Sequence, residues 1–124
     1  LDSGHGETRS VGSGEVVIAA WKDAPQEQLL KVADALKRRA GERAFILASS
    51  DKEGVRFIVG TSEALPSGTV HAGNVAREGA GILGGGGGGR ADMAQAGGKA
   101  VDKLDEALEA MARSLQGSIA GNGA

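Results

Sequence analysis

Apolar residues along this chain gather into three strand-length runs, the third broken only by Arg56, and two helical stripes. Val16-Val17-Ile18-Ala19-Ala20, within Glu15 to Trp21, is apolar without alternation over the length of a strand, the pattern of a strand covered on both faces. Ala44 to Ser49 repeats it. Val55 to Gly60 follows after Ser50-Asp51-Lys52-Glu53-Gly54, a turn sequence that makes the second and third strands an antiparallel pair. Between the first two runs, Leu29, Val32, Ala33 and Leu36 recur at helical spacing, while Gln26, Lys31, Asp34 and Lys37 fall off that face. Asp23 is placed to cap this helix, which begins near Pro25, and Gly41 supplies its stop. The order strand, helix, strand predicts a parallel pair joined by a right-handed crossover.

The second half is patterned more thinly. Pro66, Ser67 and Gly68 break the chain before a short helix over about Ala72 to Gly79, weakened by its glycines, and Gly81-Ile82-Leu83 reads as a brief edge strand. The clearest helix is the last, from about Lys99 to Gln116, where Val101, Leu104, Leu108, Met111 and Leu115 form one apolar stripe and Asp102, Asp105, Glu106 and Glu109 face outward. We read that stripe as a helix laid on the sheet rather than a dimer seam, because it is short for an independent coiled coil. Residues 1–14 and 117–124 are rich in Gly, Ser, Ala and charge and are expected to be mobile, the former as a linker or cloning remnant. The expectation is one α/β domain over residues 15–116: a small mixed sheet with helices packed on it and a glycine-rich loop before the C-terminal helix.

Composition narrows the function. The 124 residues, 40% hydrophobic, suit a single small domain with an aliphatic core around Phe45, Phe57 and Trp21. With two Phe, one Trp and no Tyr, the aromatic platforms that grip single strands are missing. There is no Cys for a disulfide or a thiolate metal site. No stretch is long and apolar enough to span a membrane and no secretion signal opens the chain, so a soluble, cytoplasmic protein is expected. A net charge of −2 argues against a general nucleic-acid coat but leaves room for local basic patches. Lys37-Arg38-Arg39 with Arg43 is one, better explained by cations complementing a helix C-terminus. Arg77, Arg90 and Lys99, around the glycine run, form the other.

Catalytic machinery is hard to assemble from these residues, and none is assigned. His5 lies in the amino-terminal tail, His71 stands alone beside a turn, and no carboxylate cluster joins either to make a metal site. No G-x-S-x-G elbow occurs between a strand and a helix. The glycines satisfy G-x-G-x-x-G trivially, without the preceding long strand of a dinucleotide fold. Gly98-Lys99 fails as a phosphate loop, since Ala100 replaces the required Ser or Thr and Met93 stands where the first glycine belongs. No cofactor is expected in this domain.

What the chain does possess is Gly84-Gly85-Gly86-Gly87-Gly88-Gly89 running into Arg90-Ala91-Asp92-Met93-Ala94-Gln95-Ala96-Gly97-Gly98. Flexible linkers mix glycine with serine, whereas this run ends in a mixed polar sequence and a patterned helix, so an ordered loop is expected. Unshielded amides from Gly84 to Gly89 would form an anion nest, with Arg90 as a charged fork and Arg77 nearby. Gln95 would add an amide, and Gly97, Gly98 and Lys99 lead into the positive end of the last helix. Such a site binds phosphate or ribose oxygens by shape, which suits a folded RNA better than splayed bases.

Gly85 through Gly98, with His71-Ala72-Gly73-Asn74 upstream, resembles the glycine-rich signature of the carboxy-terminal domain of alanyl-tRNA synthetase, called C-Ala, of the DHH-associated group. The likeness runs from about Glu15 to Gln116, and Asp92-Met93-Ala94-Gln95-Ala96-Gly97-Gly98 is its most specific part. It implies a non-catalytic, tRNA-binding accessory domain of a class II alanine-tRNA ligase. Such a domain would contact the elbow of tRNA-Ala and couple the aminoacylation and editing domains, which are its partners. Ala91 stands where that family usually has proline, and Gly86 or Gly87 where a lysine is common. Two other readings accompany it. One is the substrate-binding domain of a DHH-type phosphoesterase, whose glycine signature includes a histidine where Arg90 stands here. The other is a module whose final helix makes the parent synthetase a homodimer.

Overall fold

A computed structural model describes residues 5–121 of the chain. Six strands form one mixed sheet: β1 (His5–Val11), β2 (Gly14–Lys22), β3 (Arg43–Asp51), β4 (Gly54–Thr61), β5 (Gly86–Gly89) and β6 (Met93–Gly98), in the order β1-β2-β3-β4-β6-β5. Only β2 and β3 are parallel, joined through helix α1 (Gln26–Arg38); β3/β4 and the remaining pairs are antiparallel. The three apolar runs are thus the central strands, and β3 is buried along nearly its whole length.

The sheet has two covered faces. On one, α1 lays Leu29, Ala33 and Leu36 against Phe45, Leu47 and Ile58, with Trp21 half-buried at the margin. On the other, α2 (Ala72–Ile82) and α3 (Leu104–Gly121) pack on Val16, Ile46, Phe57 and Val59. Alternate residues of each strand supply the two cores, which is why these runs carry no polar alternation. On α3 the buried positions are Ala107, Met111, Ala112 and Leu115; of the predicted stripe, Met111 and Leu115 are buried and Leu104 and Leu108 are half-buried against the same core, and Gly79 on α2 leaves room for the Met111 thioether.

Several expectations are corrected. Residues 5–11 are not a mobile tail but edge strand β1, in register with β2 from His5↔Ala20 to Val11↔Gly14; residues 1–4 lie outside the described residues. Its polar sequence hid it. From Gly6 to Val11 only Val11 is buried, and the strand is anchored by Arg9, whose guanidinium donates to both carboxylate oxygens of Glu109 at 2.8 and 3.1 Å and to the Gln116 side-chain amide oxygen at 2.9 Å. Asp23 does not cap α1: it adopts φ 58, its N–H donates to Ser50, and Pro25 is the N-cap residue. Gly81-Ile82-Leu83 is the end of α2 rather than a strand. The last helix begins with a 3-10 turn at Val101–Lys103, leaving Val101 exposed, and α3 then continues through Gly117 to Gly121; the rest of the expected tail, residues 122–124, lies outside the described residues.

Arg43, counted in the sequence as part of a basic patch, is buried and spent on structure. Its Nε donates to Glu15 at 2.8 Å, Nη1 to the carbonyls of Leu36 and Arg39 at 3.1 and 2.8 Å, and Nη2 to the carbonyl of Ala40 at 2.8 Å. One side chain thereby satisfies the orphan carbonyls at the end of α1 and ties the α1–β3 connection to β2.

Hydrogen bonds from Arg9, then Arg113, pull the Glu109 carboxyl down to about 2 from an ordinary 4.5. A carboxylate whose pKa is lower folded than unfolded contributes stability that is present above the unfolded value and is lost as pH falls through the folded one. Melting temperature should therefore drop for the wild type as pH falls from about 4.5 toward 2, and less steeply for Glu109→Gln, so that the two curves converge in acid. Parallel curves would show that the Arg9–Glu109 clasp adds no pH-dependent stability.

Candidate nucleic-acid interface

The glycine run is a strand, not a loop nest. Gly86–Gly89 pairs with β6 from Gly86↔Gly97 to Gly89↔Ala94, and alternate amides of an antiparallel strand turn to the partner instead of converging on one anion. Glycine is required here chiefly for close approach. Gly87 and Gly88 sit at φ 141 and 154, a region nearly closed to other residues, and a β-carbon on Gly85 would fall within the backbone of Gly97 and Gly98. Gly97 and Gly98 are equally tight against the backbone of Val55 and Leu83. Gly84, at φ 72, makes the turn out of α2. The result is a sheet edge without side chains, most of it open: Gly85, Gly86, Gly87 and Gly89 are exposed and Gly88 is half-buried.

Three cations border this edge. Arg77, exposed on α2, lies over Gly88, with its Nη1 3.3 Å from where a β-carbon there would stand, and its Nη2 donates to the Asn74 side-chain Oδ1. Asn74 in turn gives its backbone N–H to His71 Nδ1 at 3.1 Å, the side-chain cap of α2. His71, Asn74 and Arg77 are therefore one aligned unit; the sequence signal was their spacing of three along a helix. Arg90 follows β5 in the turn to β6, its side chain 76% exposed, with Asp92, at 3.5 Å, its one ion-pair partner among the described residues. That turn is fixed by the first amides of α2, which donate from Ala72 to the Ala91 carbonyl at 2.8 Å and from Gly73 to the Arg90 carbonyl at 3.0 Å. Lys99 is exposed at the other end of β6, about 20 Å away at the rise of a strand. The cations are thus strung along the strand.

Gln95 is the expected site residue that the fold directs elsewhere. It projects from the α1 face of β6, where its carbonyl oxygen accepts from Gln26 Nε2 at 2.6 Å. Among the described residues there is no group of three or more His, Asp and Glu side chains placed to hold a metal, and no helix is long and apolar enough to cross a membrane.

This architecture and signature define a known class. The DHHA1 domain model matches residues 13–117. Alanine–tRNA ligases of Alkaliphilus oremlandii and Acetivibrio thermocellus are 43% and 34% identical over 106 and 121 residues, covering 85% and 98% of this chain but 12% and 14% of those proteins. The crystal structure of the C-Ala domain from Aquifex aeolicus alanyl-tRNA synthetase superposes with a TM-score of 0.80 at 36% identity, over 90% of this chain and 99% of that one. The chain belongs to the DHHA1 domain family, in its C-Ala, alanyl-tRNA synthetase branch.

Proposed function

We propose that this domain is a tRNA-binding accessory module of a cytoplasmic alanyl-tRNA synthetase, docking the elbow of tRNA-Ala so that the aminoacylation and editing domains act on one bound tRNA. The observation that carries the reading is the bare, exposed glycine strand bordered by Arg77, Arg90 and Lys99. Backbone without side chains lets a sugar-phosphate chain come close, and two guanidinium groups offer forked donors to phosphate oxygens. Lys99 adds a point charge at the far end. Contact is by shape and charge, as expected for a folded RNA, and needs no cofactor and no catalytic group in this domain. Gln95 is left at the margin of the site, reached only if it lets go of Gln26.

Arg90→Ala should weaken binding of tRNA-Ala and reduce the slope of log affinity against log salt by about 0.7–0.9, the loss of one phosphate contact. Affinity measured across a salt series checks this. An unchanged slope with unchanged affinity would remove Arg90 from the interface.

A further inference from the structure

A cleft of about 560 Å³ lies beside the Arg90 turn, walled by the end of α1, the loop from β4 to α2, and the β5–β6 turn. Its size falls in the range of small-ligand sites, about 300–1,000 Å³. The walls are tied to one another by main-chain hydrogen bonds, from Glu63 to Lys37 at 2.9 Å, from Thr61 to Asp92 at 3.1 Å and from Ala72 to Ala91 at 2.8 Å, so the cleft is formed before any ligand arrives. Buried Leu65 and Val70 give it an apolar floor. Lys37 and Arg90 line it from different segments, and Lys37 has no ion-pair partner among the described residues.

The charge balance selects the ligand. Glu63 and Asp92 also line the cleft, so two carboxylates offset the two cations, and a bare anion such as inorganic phosphate gains little net attraction. A ligand carrying both an anion and hydrogen-bond donors gains from each set. A ribonucleotide does so: its phosphate suits Lys37 and Arg90, its ribose hydroxyls and base amino groups suit Glu63 and Asp92, and one face of its base suits the Leu65–Val70 floor.

We propose that this cleft receives a single unstacked ribonucleotide of the bound RNA, with Lys37 as a second phosphate contact beside Arg90. The proposal rests on the tRNA-binding reading and adds a pocket and a residue to it. Amide chemical shifts of the 124-residue protein, titrated with the four ribonucleoside 5′-monophosphates, their deoxy counterparts and inorganic phosphate, test it. Shifts at Lys37, Glu63 to Val70 and Arg90 to Asp92 are expected at millimolar ribonucleotide, smaller with deoxynucleotides and smallest with phosphate. Lys37→Gln, at a half-exposed helix end where the fold should tolerate it, should reduce these shifts and lower tRNA affinity several-fold with a salt slope shallower by about 0.7–0.9. Shifts elsewhere, an equal response to phosphate alone, or unaltered tRNA binding by Lys37→Gln would overturn the proposal. If Arg90→Ala still weakens tRNA binding in that case, the function stands and only the pocket falls. If tRNA binds nowhere on the protein, both fall.

Discussion

Gly85→Ala should destabilise the domain by about 2–3 kcal/mol or more, the upper range of overpacking, whereas Gly86→Ala, one residue along, should leave it unchanged or up to about 1 kcal/mol more stable. The difference lies in what each new methyl would meet. At Gly85 it would fall inside the main chain of Gly97 and Gly98, which cannot swing aside as a side chain can, so β5 would have to part from β6. At Gly86 nothing lies within 4 Å and φ is not positive, so alanine enters open space and only reduces the freedom of the unfolded chain. Urea unfolding of the two variants measures both. The pair also separates structure from binding: Gly86→Ala keeps the fold while thickening the bare edge, so a loss of tRNA affinity there would report contact with the strand itself.

Arg43→Ala should cost about 3–5 kcal/mol, the range for removing one partner of a buried charge cluster. The side chain is 4% exposed and its loss leaves Glu15 and the carbonyls of Leu36, Arg39 and Ala40 without their donors. Arg43→Lys should recover only part, because one ammonium cannot fork to four acceptors on two elements. The hydrogen bond from Arg43 is also the main reason the Glu15 carboxyl sits below its ordinary range, with the charges of Arg43 and Arg39 adding to it. In Arg43→Met that carboxyl should titrate closer to 4.5, visible by NMR, and stability should depend less on acid pH than in the wild type. A variant as stable as the wild type would mean that water replaces the guanidinium at no cost.

The parts of the fold legible in the sequence were those with a hydrophobic reason to exist. β2, β3 and β4 are apolar runs, and α1 has an unbroken stripe, so their order, and the parallel then antiparallel pairing, followed from spacing and turn residues. β1, β5 and β6 escaped because neither composition nor periodicity marks them. β6 contributes Ala94, Ala96, Gly97 and Gly98, residues with low strand preference, and becomes a strand because β4 pairs with it from Val55↔Gly98 to Gly60↔Met93 while α2 lies close above. β5 has no side chains to show a pattern, and the sequence therefore suggested a loop. The end of α3 was misplaced for a related reason: nothing crowds Gly117, so the helix runs through it.

For the candidate interface, Arg77, Arg90 and Lys99 could be read from their nearness to the glycines; they sit on α2, in the β5–β6 turn and just after β6. Their order could not be read, since it depends on a hairpin that the sequence concealed. Gln95 and Arg43 show the limit of reading side chains from a one-dimensional neighbourhood: the first faces α1 because alternate residues of β6 leave opposite faces, and the second is claimed by the end of a helix. The cleft at Lys37 lies beyond such reading altogether, as its walls come from three segments far apart along the chain, at Lys37, Thr61 to Val70 and Arg90 to Asp92.

The central claim, that the glycine edge with its flanking cations is where folded tRNA docks, is tested most directly by hydroxyl-radical footprinting of tRNA-Ala with the wild-type protein and with the Arg77→Ala/Arg90→Ala double variant. Protection of the riboses at the elbow by the wild type, and its loss in the variant at equal protein concentration, is the expected result. Protection that persists unchanged in the variant, or that falls on the acceptor stem or anticodon instead, would contradict it.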